Sequence, residues 1–270
     1  MSRIFYDLTS YESALNSLSI IIKVIPVKLE MFLFRYRNNN DDLYNNLIEN
    51  FKININDIDI SDLYLKVLQV TTNGDNCESI RRYGLLNTQE AIQSDTFLSR
   101  YLNRKGITID FINKTIRYKN NLYHISEDNN RHIKLCFIKL FSKCHYPING
   151  FIYSDNPMNY GDQIDKKPEI IGNLADAFGR DIEKEWIQNT KCFIIEFMPS
   201  IYDFDYSVFT DNKELFEDNK DLVIKRWLLG LSIVLLHDLK YDNHHVDVYA
   251  YMNPEYSVLN SDNLINFEEG

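Results

Sequence analysis

At Leu63 the hydrophobic period of this chain changes, and that change limits the folds open to it. Before it, apolar residues recur at helical spacing. Ser10-Tyr-Glu-Ser opens a run with Leu15, Leu18, Ile21 and Ile22 that Pro26 breaks. Val27 to Tyr36 resumes the pattern, and Asp41–Phe51 carries Leu43, Leu47 and Phe51 on one face, with Arg37–Asn40 as the connection. From Leu63 to Val70 the chain reads instead as a buried strand rich in Val and Leu, ending in the turn Thr71-Thr-Asn-Gly74.

Beyond that point short strands and helices mix. Asp75-Asn-Cys-Glu78 has capping-box spacing with Asp75 at the N-cap, and Gly84 suits the residue that ends the short helix. A helix around Thr88–Asn103 precedes three short strands at Ile107–Ile112, Lys114–Lys119 and Leu122–Ile125, joined by Asn-containing turns. Helical spacing returns at Ile133–Cys144. Asn149–Tyr153 and Lys191–Phe197 read as strands, with a helix at Pro168–Ala177 between them. Asp221–Leu239 is the most apolar helix, and Trp227, Leu228, Leu231, Val234 and Leu235 are expected on its buried face. Tyr249–Met252 and Tyr256–Leu259 resemble closing strands. Strands set among helices without strict βαβ alternation predict an α+β fold. The expected division is a helical amino-terminal region, 1–62, followed by an α+β domain, 63–270.

The same residues exclude several classes of function. The 270 residues carry a formal charge of −10. Binding a polyanion needs a basic face, so generic nucleic-acid binding is disfavoured. The modest Lys/Arg clusters at Arg81/Arg82, Arg100–Lys105 and Lys114–Lys119 read as solvated faces. The four cysteines have neither C-x-x-C pairing nor zinc-site spacing, which suits reduced thiols. Leu18–Val27 and Trp227–Leu236 fall short of the roughly 20 apolar residues that span a bilayer, and MSRIFYDLTSYES lacks the layout of a secretory signal. No membrane association and a cytoplasmic setting are therefore expected. The chain has no G-x-G-x-x-G after a strand, no P-loop motif, no H-E-x-x-H and no G-x-S-x-G. His244-His245, with Asp238, Asp242 and Asp247 nearby, lacks a second supporting cluster, so no metal is expected.

One stretch says more. Leu68-Gln-Val-Thr-Thr-Asn-Gly-Asp-Asn-Cys-Glu-Ser-Ile-Arg-Arg-Tyr-Gly-Leu85 is a strand ending, a short helix around Ile80, then Gly84-Leu85. It resembles the opening of the ADP-ribosyltransferase-like superfamily, which includes poly(ADP-ribose) polymerase, DarT and RNA 2′-phosphotransferase types. Their pattern is H-x-T, a gap, then I-x-x-x-G-L. Here Gln69 stands at the histidine position, Thr71 at the threonine, and Ile80-Arg-Arg-Tyr-Gly-Leu85 matches the second half. Gly150-Phe-Ile-Tyr-Ser-Asp-Asn156, with Tyr160-Gly161 behind it, resembles the family's second strand. Asn253-Pro-Glu-Tyr-Ser-Val-Leu259 resembles the late strand that carries its catalytic glutamate.

The resemblance implies a split mixed sheet and an intracellular, NAD-consuming mono-ADP-ribosyltransferase of microbial or phage type. NAD is its substrate. Gln69, Thr71, Tyr153 and Tyr160 become its NAD-binding residues and Glu255 its catalytic residue. Breaking the nicotinamide–ribose bond builds oxocarbenium character, which a carboxylate beside the ribose stabilises. Tyrosine faces would flank the nicotinamide ring. A glutamine amide can donate to and accept from a ribose hydroxyl, in place of histidine. Acidic residues outnumber basic ones, which favours a protein target over a nucleic acid. Blander roles stand beside these: Gln69 as a polar strand end, Tyr153 and Tyr160 as packing residues among 18 tyrosines, and Glu255 as a solvated carboxylate. The functional alternatives are a binding protein that keeps the fold but has lost transfer, or an unrelated α+β regulatory protein.

Overall fold

A computed structural model describes residues 3–38, 42–124, 130–143, 145–161, 163–241, 247–254 and 264–269. In chain order, the first elements are β1 (Ile4–Tyr6), α1 (Tyr11–Ile22), α2 (Pro26–Arg35), α3 (Leu43–Phe51), β2 (Leu63–Leu65) and β3 (Val67–Asn73). They are followed by α4 (Glu78–Tyr83), α5 (Thr88–Gln93), α6 (Phe97–Arg104), β4 (Ile107–Asp110), β5 (Thr115–Tyr118), β6 (Asn121–His124) and α7 (Arg131–Phe141). The chain continues with β7 (Asn149–Ser154), α8 (Glu169–Phe178), α9 (Asp181–Asn189), β8 (Lys191–Phe197), α10 (Lys213–Tyr241), β9 (Asp247–Tyr251) and β10 (Leu264–Glu269). This is an α+β protein. Among the described residues, no helix is long and apolar enough to cross a membrane.

The chain divides into two units, each assembled from separate stretches: Met1–Val67 with Phe151–Asp155 and Met198–Tyr251, and Leu68–Gly150 with Asn156–Phe197 and Met252–Gly270. In the first unit, Ser10 caps α1 by accepting from the Ser13 N–H at 3.1 Å. The helix stops at Lys23, whose left-handed backbone (φ 55°) turns the chain, and Pro26 then starts α2 at a position that needs no N–H donor. α10 packs against α1 and α3. It kinks at Asn219 (φ −138°, ψ 39°). The buried face beyond that kink is Ile224, Leu228, Leu229, Ser232, Ile233, Leu235, Leu236 and His237. The expected face was therefore partly misjudged: Val234 is exposed, and Trp227 and Leu231 are half-buried. Small Ser232 is buried instead. Its hydroxyl donates to Leu228 O at 2.6 Å, so its single proton is committed, and Tyr6 Oη must be the donor in the 2.7 Å contact with Ser232 Oγ.

β1 pairs in parallel with β2, Ile4 opposite Leu63 and Tyr6 opposite Leu65. The expected single strand Leu63–Val70 is thus two. It breaks at Lys66, whose backbone N–H donates to Tyr6 O at 2.8 Å and whose ammonium reaches Asp7 at 3.4 Å.

In the second unit β4, β5 and β6 form an antiparallel meander with Ile109 opposite Ile116 and Ile116 opposite Tyr123. α7 packs on α8, and α8 on α9. Their apolar faces share one core containing Tyr101, Ile116, Phe137, Leu140, Leu174 and Trp186. The expected helix over Thr88–Asn103 is two helices, because Thr96 caps α6 by accepting from the Ser99 N–H at 3.1 Å. Strands β10, β8 and β3 are neighbours in that order. β10 and β8 run antiparallel, and β8 alternates buried Phe193, Ile195 and Phe197 with less buried residues.

Candidate functional site

β3 brings two of the residues singled out above onto one face. Side chains two apart in a strand point the same way, so Gln69 and Thr71 share a face with Val67 and Asn73, while Val70 and Thr72 face the other way. Thr72 is held from that second face: Trp186 Nε1 donates to its Oγ1 at 2.9 Å. Gln69 differs. Its Oε1 is enclosed by protein and meets no donor among the described residues. An enclosed acceptor left unmatched costs about 1–3 kcal/mol.

The strand then delivers the chain to α4 by an unexpected route. Asn73 Oδ1 accepts from the N–H groups of Asp75 and Cys77, at 2.7 and 3.1 Å. Asn76 and Cys77 both take positive φ, 52° and 63°, so Cys77 is the N-cap residue. The Asp75 carboxylate is not the cap. It pairs with Arg100 at 2.8 Å. Gly84 closes α4 at φ 80° and ψ −173°, a region in which glycine alone is at ease. Cys77 is buried, and loss of hydration pushes its thiol up to about 12. It is therefore not an activated nucleophile.

Tyr153 belongs to the other unit, on β7, which neighbours β9. The ring is buried, and its hydroxyl donates to Asp155 Oδ1. Burial raises the phenol's pKa above its ordinary value, and the Asp155 and Asp247 carboxylates add to that. The tyrosine therefore stays protonated and holds Asp155 as an acceptor. Next to it, Ser154 Oγ donates to Asp247 Oδ1 at 2.6 Å. The Tyr-x-Asp spacing across the end of a strand could have revealed the Asp155 contact, because residues two apart in extended chain share a face.

Tyr160 lies in the second unit, after a 3-10 turn at Pro157–Asn159 that Asn156 caps by accepting from the Met158 N–H at 3.2 Å. It is partly exposed. Glu255, the Tyr256–Leu259 strand and the His244-His245 pair lie outside the described residues. Among the described residues, no three side chains of the metal-binding types gather.

No family model matches the chain, and none of the curated proteins or solved structures compared with it matches.

Proposed function

We propose that this chain is an NAD-consuming mono-ADP-ribosyltransferase with an ADP-ribosyltransferase-like split sheet, acting on a macromolecular target, a protein in preference to a nucleic acid. The observation that carries the reading is Gln69 Oε1. It is an enclosed acceptor with no donor among the described residues, at the position where the resemblance expects a ribose hydroxyl to be held. In this reading a side-chain rearrangement on ligand entry uncovers the oxygen, a ribose O–H supplies the missing donor, and Thr71 on the same face offers a second polar contact. In this reading Tyr160 presents an aromatic face to the nicotinamide, and Glu255 stabilises the cationic ribose as the bond to nicotinamide breaks. A cytoplasmic setting belongs to the same reading, supported by Cys77, Cys136 and Cys192 being free thiols.

One observation favours a second reading, a protein that keeps the site for binding and has lost transfer. Tyr153 is buried with its hydroxyl committed to Asp155, which suits packing better than stacking on a ligand. Titration calorimetry with NAD, followed by nicotinamide release in the presence of a cell extract as target source, separates the two. The transferase reading expects Gln69→Ala to weaken NAD binding about tenfold, the loss of one hydrogen bond. It expects Glu255→Gln to bind NAD normally and turn over at least 10²-fold more slowly. Binding without turnover in the wild type selects the second reading. No NAD binding by the wild type removes both.

A further inference from the structure

α2 is apolar on two opposite sides. Leu29, Phe32 and Leu33 are buried in the first unit. On the outer side Val27, Met31 and Phe34 recur at i, i+4 and i+7, and Ile20 and Ile25 lie just before them; all five are 57–68% exposed. The side of a helix away from its core is ordinarily polar unless something covers it. Where α1 ends and α2 begins, Ile20, Val24, Ile25 and Pro26, with Asn16, Ser19 and Lys23, line a shallow, open groove of about 370 Å³. The Val27–Met31–Phe34 stripe starts directly beside it and runs about 10 Å along the helix, at 1.5 Å per residue. An exposed apolar stripe joined to a groove is the form in which a partner's amphipathic helix is received.

The charge around this face is opposite to that of the chain. Lys23, Lys28, Arg35 and Arg37 are exposed at its edges, and Arg37 lies over the Phe34 ring at 4.7 Å. The one acidic residue in this segment, Glu30, is turned to Lys240 at 3.7 Å. A basic, apolar face on a chain of net charge −10 selects an occupant that is acidic and apolar.

We infer that the α1–α2 face docks an acidic amphipathic helix of a partner protein. A second copy meeting this face through a two-fold axis would press one basic face against another. An anionic bilayer is a plane, so it would bring more of this acidic chain within the screening length of about 8 Å. A single helix covers only the stripe and its cationic edges.

The test uses a fluorescein-labelled synthetic helix of about five turns, with leucines at i, i+3, i+4 and i+7 and glutamates flanking them, titrated into the full chain and followed by anisotropy. A twin peptide carries lysine in place of each glutamate. The expected result is saturable binding of the acidic peptide at micromolar concentration, at least tenfold tighter than its basic twin and weakened by salt. Met31→Asp, on the solvent side, should abolish that binding while leaving the thermal midpoint unchanged. Lys23→Glu with Lys28→Glu should weaken it at least tenfold. No binding of the acidic peptide, or equal binding of both peptides, overturns the inference. So does a wild-type dimer in sedimentation that Met31→Asp dissolves. Flotation with phosphatidylglycerol vesicles in the absence of acidic-peptide binding overturns it in favour of a membrane surface.

Discussion

Trp186 Nε1 donates a 2.9 Å hydrogen bond to Thr72 Oγ1, tying the middle of α9 to the end of β3. The indole is fully buried, edge-on to Phe97 at 5.3 Å and to Tyr101 at 5.0 Å. It fills the core and supplies the Thr72 hydroxyl with a donor. Trp186→Ala should cost about 3–5 kcal/mol from the cavity. Thr72→Val keeps the volume but strands the indole N–H, and should cost about 1–3 kcal/mol. Urea denaturation of both variants checks the ranking. A loss near zero for Thr72→Val would mean that the hydrogen bond contributes nothing separable from packing.

Gly74 is sterically enclosed. A Cβ there would lie 2.3 Å from Phe97 Cζ and 2.5 Å from the Asn189 carbonyl oxygen. The phenyl ring is backed by Trp186 and the carbonyl is main chain, so neither yields easily. Gly74→Ala should destabilise by about 1–3 kcal/mol through overpacking. A melting temperature within a degree of wild type would show that the Phe97 side of the strand end is pliable.

The two sides of α10 should respond oppositely to the same replacement. Leu228 is fully buried, and Leu228→Asp should leave little soluble protein. Val234 is exposed, so Val234→Asp should change stability by no more than about 0.5 kcal/mol. Soluble yield and the thermal midpoint of the two variants report this directly. A collapse of Val234→Asp would mean that the outer side of α10 is covered in solution.

Stability at acid pH should depend on Glu183. Hydrogen bonding from Lys167, with Arg180 at 2.8 Å, holds its carboxyl below the usual carboxylate range. The folded chain therefore binds that proton more weakly than the unfolded chain. The stabilisation is complete above the unfolded value, about 4.3, and disappears as pH falls through the lower folded value. Glu183→Gln should melt below wild type at neutral pH, and the gap should close as the pH drops under about 4. Melting curves across a pH series test this, and a gap that stays constant to low pH excludes the ion pair as its source.

Much of this architecture can be read from local pattern. The strand Lys191–Phe197 shows itself by the apolar run Cys192-Phe-Ile-Ile195 and is buried at alternate residues, and the meander from Ile107 announces itself by its Asn-containing turns. What escaped the reading depends on distant partners. β1 is three residues long and is a strand because Leu63–Leu65 lies alongside it, far along the chain. The break at Lys66 is set by Tyr6 in the same way. On α10, helical spacing alone does not say which residues point inward. Ser232 lies inside because Tyr6 and Leu228 O meet its hydroxyl, and Val234 lies outside. Near the candidate site, Asp75 matched a capping signature, yet no side chain caps α4: Asn73 instead shapes the turn before it by accepting from the Cys77 N–H, and Arg100 draws the Asp75 carboxylate away. The unmatched Gln69 oxygen was not legible either, since enclosure is a property of the folded surroundings. Gly74 looked like a turn glycine, but close approach to Phe97 and Asn189 is what excludes a side chain there.

Both units are discontinuous, and this bears on how the chain comes off the ribosome. The first unit opens with α1 and α3, but the helix that packs on both, α10, emerges only after most of the second unit has been translated. Until then the inner faces of α1 and α3, with Leu18, Leu43 and Leu47, have no α10 to meet. A nascent chain stalled before Lys213 should therefore be a chaperone client with a protease-sensitive amino-terminal segment. Release of that segment from chaperone should wait on the synthesis of a single late helix.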